Sequence, residues 1–157
     1  MKKKIVIVAI LAIISVVGYF VYDYYNAPPE PNPEGAELLL LLIDNSGQED
    51  VVKTIAHRTT AGSLMQVLTE LHEEGKIESF SENDGFINSI DFLENKSADG
   101  YWIFLYTSLQ DEKYISIDEF SPPLVYEGSE YYSCSKGAAE MPIIDGVVYI
   151  ITYVYYG

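Results

Sequence analysis

The residues most suggestive of covalent catalysis stand together near the C-terminus. Ser133 and Lys136 fit the S-x-x-K pattern of acyl-enzymes that react with penicillin-like substrates. The K-T-G element that accompanies this pattern is missing, because isoleucine follows the Lys-Thr pair at positions 53 and 54. The roughly 120 residues that follow position 36 are also too few for that fold. We therefore interpret the S-x-x-K match as accidental.

A cysteine transpeptidase of the sortase type is the other catalytic alternative. Its chemistry needs a thiolate beside a base, and a cation that stabilises the developing oxyanion. Cys134, His72 and Arg58 supply these three residue types. In sortases, however, the cysteine follows T-L-x-T and the arginine comes later in the sequence. Here Tyr-Tyr-Ser precedes Cys134 and no arginine follows it, so we predict no catalytic residue and no enzyme.

The patterns that could bind a metal are equally weak. Neither His57 nor His72 has a second histidine or a cysteine at ligand spacing, which argues against a zinc site. The loop Asp44–Gly47, together with Glu49 and Asp50, could offer oxygens to calcium. It lacks the D-x-D-x-D-G spacing and the closing glutamate of an EF-hand. We interpret it as a turn and predict no metal site.

Aromatic side chains give a stronger indication of binding. The chain has 14 tyrosines and a single tryptophan, Trp102, which lies in the stretch ADGYWIFLY from Ala98 to Tyr106. Tyrosine and tryptophan combine a large apolar surface with one polar group, which suits them to binding faces. The candidate ligand-binding residues are Tyr101, Trp102, Phe104, Tyr131 and Tyr132.

The direction in which Trp102 points decides whether it can bind anything. In a strand from Tyr101 to Thr107, odd-numbered and even-numbered side chains point to opposite faces of the sheet. If the odd-numbered set covers a helix, Trp102 lies on the open face; if Trp102 points toward the helix, it belongs to the core, which we favour. In the last strand Tyr149, Tyr153 and Tyr155 share one face, either a half-exposed packing face or an amphipathic binding face.

Hydrophobic periodicity and turn signals predict the elements that position these residues. Ser63 and Gln66 form a capping box, and the apolar residues after them recur at helical spacing, which predicts one helix that stops at Gly75. Apolar or β-branched runs predict strands at 38–43, 51–60, 77–81, 86–92, 101–107, 114–117 and 147–156. Two strands, one helix and several more strands predict an α+β fold, with a mixed sheet packed on one helix.

Residues 1–25 are predicted to form a single N-terminal transmembrane helix, a signal anchor. Three lysines precede 18 residues without a charge, from Ile5 to Tyr22. As a helix this segment would be about 27 Å long, close to the hydrocarbon thickness of a bilayer, about 30 Å. A cleaved signal peptide is the alternative, but no small-x-small pattern follows. The lysines place the N-terminus in the cytoplasm and the rest outside the cell membrane.

A stalk and one domain follow the anchor. Residues 26–36 contain four prolines and predict a semi-rigid spacer, and residues 37–157 form the domain. From residue 27 onward there are 23 Asp and Glu against six Lys and Arg, a net charge of −17. Such a surface disfavours nucleic acid and favours cations or basic groups on a partner. The single cysteine excludes an internal disulfide.

Four motifs occur in an order that resembles a known family. A capped helix ending in L-x-x-L-x-x-x-G is followed by G-F-I-N-S-I, D-G-Y-W-I-F-L-Y and I-I-D-G-V-V-Y-I-I-T-Y. Over residues 37–157 this order is similar to the transcobalamin-like C-terminal domain of bacterial surface proteins. The resemblance implies a β-grasp-like fold, in which a sheet curls over one helix. It also implies cobalamin as a cofactor to test; no other cofactor is predicted.

Together these observations predict a membrane-anchored, extracytoplasmic binding or interaction module of a bacterial cell surface. Its partners would be the membrane, through the N-terminal helix, and a surface protein, a glycan or a small ligand. The alternative is a carrier for cobalamin or another planar cofactor, and a surface cysteine enzyme is a remote alternative. A carrier predicts a concave aromatic pocket near Trp102. An interaction module predicts a flat exposed patch or a free sheet edge.

Overall fold

The computed structural model of the chain describes residues 2–117 and 122–156, with side chains from Ala12 onward. Within these ranges it contains two α-helices, α1 at Lys2–Asn26 and α2 at Leu64–Glu73, and a 3₁₀ turn at Ser97–Asp99. The described strands are β1 Ala36–Asp44, β2 Val51–Thr59, β3 Phe80–Asn83, β4 Phe86–Ile90, β5 Tyr101–Thr107, β6 Ile115–Ser116, β7 Leu124–Tyr126, β8 Ser129–Cys134 and β9 Val147–Tyr155.

Seven of the described strands form one mixed sheet in the order β2-β1-β9-β5-β8-β6, with β7 paired to β8. β1 lies antiparallel to β2 and parallel to β9, while β5 lies antiparallel to β9. β3 and β4 form a separate two-stranded hairpin. The prediction of an α+β fold with a mixed sheet is therefore confirmed.

The apolar run of β1 marks the centre of the sheet. Leu40 and Leu42 are fully buried on the face that packs against α2. Leu41 and Ile43 are buried on the opposite face. A central strand that is covered on both faces is apolar at consecutive positions instead of alternate ones. This is why six apolar residues in a row form a strand here.

Helix α2 supplies one side of the main core. Ser63 accepts a hydrogen bond from the Gln66 N–H, and the Gln66 side chain accepts one from the Ser63 N–H, so the predicted capping box is present. The stop at Gly75 is also present, with φ of +70°. The buried face of the helix consists of Leu64, Val67, Leu68 and Leu71. We call the cluster around these residues the helix-side core.

A smaller apolar cluster covers the opposite face of the sheet. Its buried members are Leu41, Ile43, Tyr106 and Ile150. Partly buried side chains from β7 and β8 pack against it, namely Leu124, Tyr126 and Tyr131. The sheet therefore has apolar cover on both faces, where the sequence predicts a helix on one face only. Strand β7 is three residues long, which is too short to leave a periodic pattern in the sequence.

Two tyrosines of β9 are buried, so the expectation of a half-exposed tyrosine face is wrong for them. Tyr149 and Tyr153 are 0% and 2% exposed. Their hydroxyl groups donate hydrogen bonds of 2.6 Å to the carbonyls of Pro142 and Glu94. Tyr155 remains exposed at the end of the strand. A core tolerates tyrosine where the hydroxyl group finds a backbone acceptor.

Helix α1 touches the domain at its C-terminal end. The described side chains of α1 are all exposed. Lys113 Nζ lies 4.5 Å from the centre of the Tyr24 ring, and Lys136 Nζ donates a 3.3 Å hydrogen bond to the Tyr25 carbonyl. Among the side chains that the structure describes, no helix combines the length and the apolar character needed to cross a membrane.

Candidate functional site

Strand β5 is paired along its whole length on one side and only at its end on the other. Toward β9, every residue from Tyr101 to Thr107 has a partner. Toward β8, the register covers only Tyr106 and Thr107. The edge from Tyr101 to Leu105 thus has no paired strand among the described residues, although β5 lies inside the sheet.

The direction of the backbone groups follows from the alternation of antiparallel pairing. Gly100 accepts a 2.8 Å hydrogen bond from the Tyr156 N–H, and the Ser108 N–H donates a 2.9 Å hydrogen bond to the Val148 carbonyl. In an antiparallel ladder the residues that bond to one neighbour recur at every second position. Even-numbered residues such as Phe104 therefore direct their N–H and C=O groups toward β9.

Odd-numbered residues of β5 direct their backbone groups toward the open edge. The Tyr101 N–H donates a 3.2 Å hydrogen bond to the Lys96 carbonyl, as this alternation requires. Ile103 comes next, and its outward N–H and C=O groups have no hydrogen-bond partner within residues 2–117 and 122–156. Unpaired backbone groups on a strand are a template for another strand. Ile103 is the centre of this free edge.

A groove lies between the free edge and the β3–β4 hairpin. Its smaller cavity, about 240 Å³, is lined by residues 103–105 of β5, Phe86 and Ile87 of β4, Cys134, and residues 136–138. Its larger cavity, about 430 Å³, is lined by Trp102 and Ile103, residues 86–88 of β4, Asn83 at the end of β3, the turn residue Asp84, and Asn95. Because Phe86, Ile87 and Ile103 line both cavities, we treat the two as one continuous edge groove.

Backbone hydrogen bonds close both ends of the edge groove. At one end the Ala138 N–H donates a 2.9 Å hydrogen bond to the Gly85 carbonyl in the β3–β4 turn. This close approach requires glycine at position 137, because a Cβ atom there would lie 2.6 Å from the Gly85 oxygen. At the other end Lys96 accepts the hydrogen bond from Tyr101. The groove is therefore a bounded slot.

Two of the five predicted site residues line the edge groove, namely Trp102 and Phe104. The prediction that Trp102 belongs to the core is wrong, because its side chain is 51% exposed. Tyr101, Ile103 and Leu105 pack against the helix-side core. The alternation of the strand then turns Trp102 to the other face.

The other three predicted site residues lie outside the groove. Tyr101 packs against Tyr153 and Tyr155, with ring centres 6.0 and 5.0 Å apart. Tyr131 packs against the smaller apolar cluster on the opposite face of the sheet. Tyr132 is half-buried in β8. The structure does not bring these three side chains to the free edge of β5.

The sequence does not single out three residues that shape the groove, namely Phe86, Asp84 and Gly137. Phe86 is 66% exposed, which is unusual for phenylalanine in a strand. Its place in the alternating FINSIDF stretch puts it on one face but does not say what that face meets. The groove depends on contact between two turns that are about 50 residues apart, and such contact leaves no local signal.

The residues of the transpeptidase alternative are not assembled. Burial raises the pKa of the Cys134 thiol, so little of the nucleophilic thiolate forms at neutral pH. Arg58 lies on β2, four strands from β8 in the sheet order, which corresponds to about 19 Å. His72 is at the end of α2, where its Nδ1 atom lies 3.2 Å from the Ile77 carbonyl oxygen.

The loop that could have bound calcium is held as a turn. Asp44 Oδ1 accepts hydrogen bonds from the Ser46 N–H and hydroxyl groups, at 2.9 and 2.6 Å. Asp44 Oδ2 accepts one from Lys96 Nζ, at 3.3 Å. Among the described side chains, no group of three or more His, Cys, Asp or Glu residues is placed to bind a metal. The oxygens of Asp44 are engaged in the turn and in an ion pair.

Asp44→Asn is expected to lower the free energy of unfolding by about 0.5–1.5 kcal/mol at neutral pH. In the acid range, the free energy of unfolding of this variant should change less with pH than that of the parent chain. Burial raises the pKa of Asp44, but hydrogen bonds from Ser46 and Lys96 outweigh this and hold the pKa below its ordinary value. Because the pKa is lower in the folded chain, the Asp44 carboxylate stabilises the fold at any pH above the pKa of the unfolded chain, about 3.9. This stabilisation disappears as the pH falls through the pKa of Asp44 in the folded chain. Urea unfolding across this pH window measures the difference.

Asp111→Asn is the matched control for this prediction. Asp111 also accepts a backbone hydrogen bond, from the Lys113 N–H at 2.9 Å, but it has no ion pair among the described residues. The control variant should lower the free energy of unfolding less than Asp44→Asn does, because it breaks no ion pair. Equal changes in the two variants would contradict a specific role for the Asp44–Lys96 pair.

Comparisons with known proteins address the fold. No known family profile matches the chain, and no curated protein matches it. A "putative metal binding protein" from Ruminococcus gnavus ATCC 29149, solved by crystallography, matches with a TM-score of 0.50 and 15% identity, over 78% of this chain and 99% of that chain. Haptocorrin in complex with Cbi matches with a TM-score of 0.47 and 12% identity, over 78% of this chain and 26% of that chain. The chain shares its fold with the Ruminococcus gnavus protein. Because the identity is so low, this likeness concerns the fold alone.

Proposed function

We propose that the chain is a binding module without catalytic activity, and that its ligand site is the edge groove. The observation that carries this proposal is the free edge of β5, which lies inside the sheet and opens into a bounded cavity. Apolar side chains such as Phe86 and Leu105 surround the unpaired backbone groups of Ile103. Binding sites commonly combine an apolar lining with a few polar groups in this way. The raised pKa of Cys134 supports the absence of nucleophilic chemistry.

We also propose that residues 1–25 anchor the module in a bacterial cell membrane, with the domain outside. The support is the uncharged segment from Ile5 to Tyr22, which follows three lysines. Alkaline carbonate extraction of membranes from expressing bacteria tests the anchor. We expect the full chain in the membrane pellet, and its recovery in the supernatant would contradict the anchor. Protease added to intact spheroplasts should digest the domain.

A carrier for a planar small ligand is the second candidate function. The larger cavity of the edge groove, about 430 Å³, falls within the size range of small-molecule sites, and the smaller one, about 240 Å³, adjoins it. The exposed rings of Trp102 and Phe86 could stack on a flat ligand. The motif order that resembles transcobalamin-like domains, and the strand order with a parallel β1–β9 pair, support a β-grasp-like carrier. Cobalamin is therefore the first planar ligand to test.

One titration separates the two candidate functions. Trp102 is the only tryptophan in the chain, so its fluorescence reports on the edge groove. The full chain in detergent micelles is titrated with a pool of random five-residue peptides, with cobalamin and with haem. The fluorescence lifetime is followed, because cobalamin and haem absorb the emitted light. We expect a saturable change with at least one probe.

The pattern of responses decides between the functions. A change with peptides alone supports the interaction module, and a change with cobalamin or haem alone supports the carrier. In either case Gly137→Ala should abolish the change and Gly47→Ala should not. If none of the probes gives a saturable change, the edge groove is not the ligand site and the proposal fails.

A further inference from the structure

We propose that the occupant of the edge groove is an extended polypeptide segment of a partner protein, which adds a strand beside Ile103 and places a lysine or arginine against Trp102 and Asp84. This inference rests on the proposed function and specifies its ligand. Three features carry it: the backbone of the free edge, the length of the slot, and the charge in the cavity that Trp102 lines.

The backbone of the free edge favours a polypeptide over other ligands. Ile103 offers one N–H donor and one C=O acceptor, directed away from β9. An added strand satisfies both groups with its own C=O and N–H, and this pairing is independent of its side chains. The slot runs from the closed end at Tyr101 to the first residues paired with β8. At about 3.4 Å per residue, this length accommodates four or five residues of an extended chain.

The side chains that line the larger cavity, around Trp102, favour a basic residue. Asp84 lines the same cavity as Trp102, and its carboxylate has no ion pair among the described residues. A cation placed over the exposed indole ring would gain a cation–π interaction, and Asp84 would balance its charge. The outer part of the chain carries a net charge of −17, which attracts a basic partner and repels an acidic one.

The opposite side of the added strand would meet an apolar environment. Because side chains of a strand alternate, the neighbours of the basic residue would point toward the smaller cavity. Leu105, Phe86 and the half-buried Cys134 line that cavity, and Lys136, which also lines it, is paired with Glu140. The expected ligand pattern is therefore a basic residue flanked by β-branched apolar residues.

Fluorescence anisotropy of a rhodamine-labelled Thr-Val-Lys-Val-Thr peptide, titrated with the full chain in detergent micelles, tests the inference. The lysine peptide should bind about tenfold more tightly than the matched peptide with glutamate in place of lysine. A second experiment tests the backbone pairing between the peptide and β5. Methylating one alternate set of peptide amides should abolish binding, and methylating the other set should leave it unchanged.

Two variants of the chain, each of which removes one negative charge, test where the basic residue of the peptide binds. Asp84→Asn should reduce the preference for lysine over glutamate about fivefold. Asp84 has φ of +51°, a conformation that asparagine tolerates, so the turn is kept. Glu127→Gln removes the same charge from the β7–β8 turn, outside the groove, and should leave the preference unchanged.

Several outcomes would overturn this inference. They can be told apart from failure of the proposed function, in which no probe changes the Trp102 fluorescence. Equal binding of the lysine and glutamate peptides removes the basic-residue claim. Indifference to methylation of either amide set removes the added strand. Saturable binding of cobalamin or haem without any peptide binding replaces the polypeptide by a planar ligand and keeps the groove as the site. Self-association that the lysine peptide does not reverse would make a second copy the occupant.

Discussion

Leu68→Ala is expected to lower the free energy of unfolding by about 2–5 kcal/mol, the largest loss among the substitutions considered. Leu68 is fully buried in the helix-side core, in the middle of the apolar face of α2. Truncation removes buried methyl groups and leaves a cavity that the rigid sheet cannot fill. Chemical denaturation followed by far-UV circular dichroism measures the change.

Thr69→Ala is the matched control, because Thr69 is the next residue along the helix and its side chain is exposed. Its hydroxyl group bonds back to the Met65 carbonyl within the helix, so alanine should cost little. We expect a change within about 0.5 kcal/mol. A loss at Leu68 no larger than that at Thr69 would mean that α2 does not form the core.

Gly137→Ala is expected to lower the free energy of unfolding by about 1–3 kcal/mol and to deform the edge groove. The new Cβ atom would lie 2.6 Å from the Gly85 oxygen, which is backbone and cannot move aside alone. The hydrogen bond from Ala138 to Gly85 must then lengthen or break, and the β3–β4 hairpin must move relative to β5. The same unfolding experiment, together with Trp102 fluorescence, measures both effects.

Gly47→Ala controls for the general effect of a new methyl group at a glycine. At position 47 the nearest atom would lie 3.5 Å from the new Cβ, which is ordinary contact distance. This variant should keep both the stability and the fluorescence of the parent chain. If Gly137→Ala behaves like Gly47→Ala, the turns do not approach each other as described and the groove is not closed at that end.

The elements with strong local patterns could be predicted from the sequence. Helix α2 is defined by its capping box and its apolar face, both of which depend on residues within one or two turns. Strand β5 starts and ends where the Asp-Gly turn and the aromatic run indicate. The leucine run of β1 is a buried strand, because its length is too short for a spanning helix and fits the centre of a sheet.

The candidate site could not be predicted in the same way, because it depends on contacts between distant segments. Alternation shows that Trp102 and Ile103 face opposite sides, but only packing against α2 decides which side is buried. The free edge exists because β8 pairs with β5 only at Tyr106 and Thr107 and not at the residues before them. No pattern within the β5 sequence predicts where this pairing stops. The tyrosines of β9 illustrate the same limit: Tyr149 and Tyr153 are buried because backbone carbonyls of other segments accept from their hydroxyl groups.

Hydrogen exchange of single backbone amides in the full chain, measured by NMR, tests the central claim most directly. The claim is that the edge of β5 at Ile103 is free and takes up an added strand. We predict that the Ile103 amide exchanges about 100-fold faster than the Phe104 amide, which points at β9, and that the lysine peptide slows the Ile103 amide selectively. Equal protection of Ile103 and Phe104 in the chain without peptide would contradict the account.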